Sequence, residues 1–171
     1  LIMQMLKPGG RAALVLPDSL LFGDGIKARI KEKLLEECNL HTIVRLPKGV
    51  FAPYTSINTN LLFFTKGTPT KGIWFYEHPY PEGVKSYNKT KPMKIEEFEV
   101  ERQWWGKESD GFKHRKEDQY CWKVSISDIK ARNYNLDCKN PHVLIKDAED
   151  PEVLLQQYMV LQEEIGLLRD Q

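Results

Sequence analysis

Phe51 and Tyr54 stand three residues apart in a stretch that resists regular structure. They belong to RLPKGVFAPYTSINTNLLFF, Arg45 to Phe64, where Pro47, Gly49 and Pro53 keep the chain out of helix and sheet. β-favouring residues lead into this stretch, and the apolar run Asn60 to Thr65 leaves it, so it reads as a loop between two strands. An aromatic side chain in a loop either plugs the core beneath it or offers a flat apolar face to a ligand. Lys48, beside the two rings, could meet a phosphate, although an exposed lysine is commonly only solvated. Pro17 and Asp18, with Ser19, follow an apolar run at what would be the C-terminal end of a strand. Ligands gather at that end of open α/β sheets, so these residues either line a pocket or cap the next turn.

Other constellations are excluded. KPGG at 7–10 precedes a strand, whereas a phosphate cradle follows one and opens a helix. His41, His78, His114 and His142 are scattered, with no partnered nucleophile. Cys38, Cys121 and Cys138 are too widely spaced for a zinc site and read as reduced thiols. Trp74, Trp104, Trp105 and Trp122 read as core anchors. FKHRK at 112–116 is offset by Glu117 and Asp118 and reads as a solvated loop.

Several elements must position the aromatic loop. LIMQML is helical in character, and Pro8 with its glycines stops it. RAALVLP is apolar without alternation, as in a strand buried on both faces. Residues 25–38 follow a helical period, with Ile26, Ile30, Leu34 and Leu35 predicted on the buried face and Asp24 as the cap. NLHTIVRLP is the next strand. No helix separates it from Asn60–Thr65, so that pair is predicted to be antiparallel. GIWFYE at 72–77 is strand-like, IEEFEVERQWW carries a short helix, and CWKVSISDI joins a strand to a turn capped at Ser127. From Asp150 and Pro151 a final helix is predicted, with Leu154, Tyr158, Leu161, Ile165 and Leu168 as one apolar seam.

The 171 residues hold 25 Lys and Arg against 24 Asp and Glu, so no global basic signature for nucleic acid exists, which leaves room for a local basic face. No apolar run is long enough to cross a bilayer and no secretory signal is visible. A cytoplasmic protein without a membrane partner is the expectation.

MLKPGGRAALVLPDSLLF, HTIVRLPKGVFAPYTSINTNLLFFTKG and WKVSISDIKARNYNLDCKNPH together resemble an N6-adenine DNA methyltransferase, in particular the C-terminal part of the modification (M) subunit of type I restriction-modification systems. The likeness is strongest over 5–67 and next over 120–142. The LPKGVF loop with its following strand is its more specific part, because KPGG before a strand occurs in many methyltransferases.

The resemblance implies an α/β fold: the C-terminal portion of a Rossmann-like class I methyltransferase sheet, running strand, helix, strand, antiparallel strand, then a mixed extension and a C-terminal helix. The chain would begin in the helix before the fifth of seven strands, and a three-strand remnant would expose an edge and an apolar face. Residues 1–67 would be catalytic fold, 68–149 the extension and 150–171 a docking helix. The implied cofactor is S-adenosyl-L-methionine, held mainly outside these residues. The glycine-rich turn and the Asn-Pro-Pro-aromatic motif of the family are absent here, so catalytic residues are expected elsewhere and the chain alone is expected to be inactive. Phe51 falls at the family's base-stacking aromatic, with Tyr54 near it. The implied partners are double-stranded DNA, the specificity (S) and restriction (R) subunits, docked partly through the 154–168 seam, and the rest of the methyltransferase fold. A non-catalytic binding module, and a methyltransferase acting on RNA, protein or a small molecule, remain as alternatives.

Overall fold

The computed structural model describes residues 1–142, 155 and 158–162. A five-stranded mixed sheet organises them, in the order β1-β3-β2-β4-β5. Its strands are β1 (Arg11–Pro17), β2 (Cys38–Arg45), β3 (Thr59–Lys66), β4 (Gly72–Glu77) and β5 (Cys121–Ser125). Short helices α1 (Ile2–Met5) and α2 (Asp18–Leu21) flank β1, and α3 (Ile26–Glu37) leads into β2. A 3-10 turn, Ile95–Phe98, runs into α4 (Glu99–Trp104), and α5 (Ile126–Ala131) follows β5.

β3 is antiparallel to both neighbours, from Arg11↔Thr65 to Pro17↔Thr59 on one side and from Cys38↔Lys66 to Arg45↔Asn60 on the other. The predicted antiparallel return is therefore present, and β3 lies between the two strands that α3 connects. The sheet exceeds the three strands expected: β4 pairs parallel with β2, and β5 pairs antiparallel with β4. Residues beyond 67 thus extend the same sheet and cover the outer side of β2. Among the described residues, the sheet's edges are β1 and β5.

Alternation along the strands divides the core in two. Ile43, Leu62, Phe64, Ile73 and Phe75 point to one face, packing with Leu35 of α3 and Ile129 of α5. Val44 and Tyr76 point to the other, with Leu61, Phe63, Phe98, Trp104 and Trp105 around them. Trp122 stacks on Phe75 with the rings 5.5 Å apart, as an anchor should.

Four local expectations are corrected. β1, expected to be buried on both faces, lies at an edge of the described sheet and alternates exposed with half-covered residues, Val15 being 56% exposed. Ile26 and Ile30 are exposed on α3, while Ala28, Lys31 and Leu35 are buried. The cause is Lys31, only 5% exposed, whose Nζ donates to Leu21 O at 2.9 Å and Gly23 O at 3.2 Å, the carbonyls released where α2 ends. Gly25, not Asp24, is the N-cap of α3; Asp24 instead accepts from Asn133 Nδ2 at 3.0 Å. The cap of α5 is Ser125 rather than Ser127, its hydroxyl accepting from Asp128 N at 3.2 Å. The predicted start of the last helix at Asp150 and Pro151 lies outside the described residues.

The β2–β3 register shifts at His41, between Leu40↔Phe64 and Thr42↔Phe63. One residue is left unpaired there, a bulge. Thr70 Oγ1 donates to Cys38 O and accepts from Leu40 N, securing the strand beside it. His41 is buried, its ring 4.9 Å from Phe112 and 6.1 Å from Trp105. Burial, with Arg115 and Arg11 nearby, outweighs Glu108 and pulls its pKa down to about 4. In the unfolded chain the imidazole titrates at about 6.5, so between these values the unfolded state binds the extra proton. The stability held by neutral His41 is complete above about pH 6.5 and falls away as pH drops toward 4. Melting temperatures should decline across that window, and His41→Gln should flatten the decline; an unchanged slope would show that His41 is not the group titrating.

Candidate functional site

β1, β2 and β4 run the same way, so their carboxyl ends meet at one rim of the sheet. A cleft of about 760 Å³ opens there, lined by Asp18 after β1, Arg45 to Lys48 after β2, Asn58 and Asn60 before and in β3, Glu77 to Tyr80 after β4, and Lys139 and Asn140. Asp18 is positioned twice: its backbone N donates to Asn58 O at 3.0 Å, and its carboxylate accepts from Asn60 Nδ2 at 2.6 Å. Pro17 does not line the cleft. It is the last ladder residue of β1, opposite Thr59, and the N-cap of α2.

The loop from 46 to 58 rises from this rim. Leu46 N donates to Thr59 O and closes its base. Tight turns follow, with Ala52 N donating to Gly49 O and Tyr54 N to Phe51 O. Gly49 has φ +82, and a Cβ there would lie 2.6 Å from Tyr87 O. Only glycine combines that backbone with that approach. Val50 packs on the second core cluster, so it, rather than Phe51, plugs the loop. Phe51 is 38% exposed and Tyr54 92% exposed; neither belongs to a core cluster or lines the cleft. Lys48 does line the cleft, and its carbonyl accepts from Tyr80 OH at 2.9 Å.

Three buried polar atoms on residues of the cleft have no hydrogen-bond partner among the described residues: Asn58 Oδ1, Asn60 Oδ1 and His78 Nε2. Such orphans cost about 1–3 kcal/mol each. Arg45 is held by Asp137 Oδ1 at 2.5 Å and Cys138 O at 2.9 Å, and Glu77 by Asn140 Nδ2 at 3.1 Å. Lys48 and Lys139 therefore remain as cations without a carboxylate partner among the described residues.

The pairing of His78 escapes sequence reasoning. Its Nδ1 bonds to Glu101 of α4, both side chains being almost wholly buried. Nothing in the spacing of the two residues signals this contact. FKHRK is also only partly the solvated loop expected. Arg115 is 5% exposed, its guanidinium 3.8 Å from the Phe112 ring centre and 4.2 Å from that of Trp104. Burial draws its pKa down to about 10, so it stays charged at neutral pH as a packing cation rather than a free one. Cys138 is buried beside Arg132, and His142 Nε2 faces Glu117. Among the described residues, no three His, Cys, Asp or Glu side chains could share a metal ion.

Of the predicted final seam, Tyr158 and Leu161 are helical and exposed, while Leu154, Ile165 and Leu168 lie outside the described residues. No described helix is long and apolar enough to cross a membrane.

The Asp18–Asn60 bond is testable. A double-mutant cycle with Asp18→Ala and Asn60→Ala should return a coupling of about 1.5–3 kcal/mol, as for a hydrogen bond to a charged group. Additive losses would mean that the two side chains are held independently.

Residues 1–150 match the family model described as N-6 DNA Methylase. The chain is 63% identical over its whole length to the type I restriction enzyme EcoEI methylase subunit of Escherichia coli, covering 35% of that protein. It is 33% identical over 143 residues to the EcoKI methylase subunit of Escherichia coli strain K12, covering 78% of this chain and 26% of that protein. The chain thus spans about a third or less of the length of these relatives. Among solved structures, a chain of a type I R-M system superposes with a TM-score of 0.77 at 36% identity, over 99% of this chain and 36% of that one. The EcoKI M protein gives 0.69 at 28% identity, over 99% of this chain and 42% of its own.

Proposed function

Because the chain belongs to the N-6 DNA methylase family, we propose that it is the part of a type I M subunit that receives the target base, within a protein that transfers a methyl group from S-adenosyl-L-methionine to the N6 amine of adenine in double-stranded DNA. One observation carries this reading. Phe51 stands part-exposed, outside both cores, on a loop fixed by Gly49, at the carboxyl ends of three parallel strands and beside a cleft with unsatisfied polar groups. A base stacked in a duplex is out of reach of a catalytic site, so it must be extruded and held against an apolar face. Phe51 supplies that face. Tyr54, more exposed, sits where it can touch the same base or its neighbour, and Lys48 meets a phosphate. Asp18 lines the polar side of the cleft, and Pro17 fixes its start by ending β1.

The cofactor fits these residues poorly on their own. The glycine-rich turn of the family is absent from these residues, and the glycines that follow β1 form no such cradle: a Cβ on Gly25 would meet open space and one on Gly23 only the Lys27 side chain. The cofactor's binding residues, and those that hold the amine in line with the methyl donor, therefore belong to other parts of the M subunit, and no step is derived through the cofactor. The S and R subunits and the remaining catalytic fold are the proposed protein partners, with exposed Tyr158 and Leu161, and Leu154, Ile165 and Leu168 on the same predicted seam, as the docking helix. A cytoplasmic location follows from that role.

Phe51→Ala in the complete subunit tests the central claim. Stacking contributes roughly 1–3 kcal/mol per base, so turnover should fall about ten- to a hundredfold. DNA affinity, set largely by phosphate contacts, should change far less. A fluorescent adenine analogue at the target reports extrusion directly. Unchanged extrusion together with unchanged turnover would reduce Phe51 to a packing residue.

A further inference from the structure

The chain as a whole is nearly neutral, but its cations are not evenly spread. KSYNKTKPMK, residues 85–94, carries Lys85, Lys89, Lys91 and Lys94 with no acidic residue among them. All four lysines are exposed, and none is paired with a carboxylate among the described residues.

The segment is built rather than loose. Asn88 and Lys91 bridge across a tight turn, each backbone N–H donating to the other's carbonyl at 3.1 Å. Asn88 Oδ1 also accepts from Thr90 N at 3.0 Å, Thr90 Oγ1 at 2.8 Å and Lys91 N at 2.9 Å. Lys89 is thereby presented at the tip and Lys91 at its base. Glu97, on the 3-10 turn that follows, is occupied: one carboxylate oxygen accepts from Tyr87 OH and the other from Lys94 N at 2.8 Å. Its charge is spent on holding the lysine segment in place. Glu82 and Glu96 are exposed and lie outside the segment at either end.

Its position gives the turn a use. Tyr87, in the middle of the segment, is buried, and its carbonyl is the group that Gly49 approaches. Its ring lies 5.4 Å from that of Tyr80, whose hydroxyl donates to Lys48 O. The lysine turn is thus pinned directly to the loop that carries Lys48, Phe51 and Tyr54. We propose that the lysine turn, Lys85, Lys89, Lys91 and Lys94, together with Lys48, is a phosphate-binding strip that grips duplex DNA beside the nucleotide presented to Phe51. This rests on the DNA-methylase reading above. Flexible ammonium groups suit phosphates as point charges without reading sequence. An enzyme that extrudes a base must hold the strand on which that base is strung, and a strip fixed to the base loop keeps grip and stacking face in one register.

The measurement is the salt dependence of DNA binding by the assembled enzyme. Each phosphate contact contributes close to one to the slope of log affinity against log salt. Replacing Lys85, Lys89, Lys91 and Lys94 by Gln should therefore reduce the slope by about two to four, equally on specific and non-specific duplexes. Turnover at saturating DNA should be retained, because the strip is assigned to phosphates and not to the base. Replacing all four by Arg should keep the slope, and Arg29→Gln with Lys33→Gln on the exposed face of α3 should leave it as in the unaltered enzyme. A fall of less than one with normal methylation would overturn the strip while leaving the methylase reading intact. Absence of DNA binding and methylation in the unaltered assembly would overturn both. If the Gln variant kept its fold by circular dichroism but failed to assemble with its partner subunits on size-exclusion chromatography, the turn would be a docking site for an acidic protein surface, and the proposal would be wrong.

Discussion

β3 is hydrogen-bonded on both sides to strands that run against it, and this arrangement sets the position of everything functional in the chain. Because β3 must start where β2 ends, the segment between them has to turn back at the same rim at which β1 finishes. The parallel pairing of β4 with β2 brings a third carboxyl end to that rim. A loop, two asparagines and the residues after β4 are gathered there by sheet direction alone, before any side chain contributes. The partly buried Asp18–Asn60 hydrogen bond then ties the end of β1 to β3 at the rim itself.

How much of this could be read from residue order depends on how local the cause is. β1, β2 and β3 are apolar runs bounded by prolines and glycines, and the missing crossover helix made the antiparallel return a matter of chain length. The loop aromatics were visible because they break a compositional rule. What failed depended on distant partners. The face of α3 looked fixed by its isoleucines, yet Lys31 faces inward because two carbonyls left by α2 need a donor. Asp24 was free to cap α3 until Asn133 occupied it. Glu101 and His78 lie on different elements and are joined only once α4 packs on the sheet. That β4 and β5 extend the sheet was hidden for the same reason: the strand that β4 joins precedes it by two elements, with β3 lying between them in sequence.

Charge behaves in the same way. FKHRK and KSYNKTKPMK are both short basic runs, but the fold uses them differently. The first loses Arg115 to a cage of aromatic rings, where burial lowers its pKa and hydrogen bonds to Thr42 Oγ1 and Trp105 O occupy it. The second keeps every cation in solvent, because its only inward side chains are Tyr87 and the partly covered Met93. Composition distinguishes neither case; the position of the aromatics decides it.

The contact between Gly49 and the Tyr87 carbonyl has a consequence for descent. Two surface segments far apart in the gene cannot drift separately when the backbone of one sits against the backbone of the other. A side chain at position 49 has no remedy within its own loop, since the obstruction is main chain and cannot be mutated away. An insertion or deletion between 79 and 94 would displace that main chain and with it the loop bearing Phe51. Among relatives, the length of the second segment should therefore be inherited together with the glycine of the first, while the lysines around Tyr87 stay free to change in number and place.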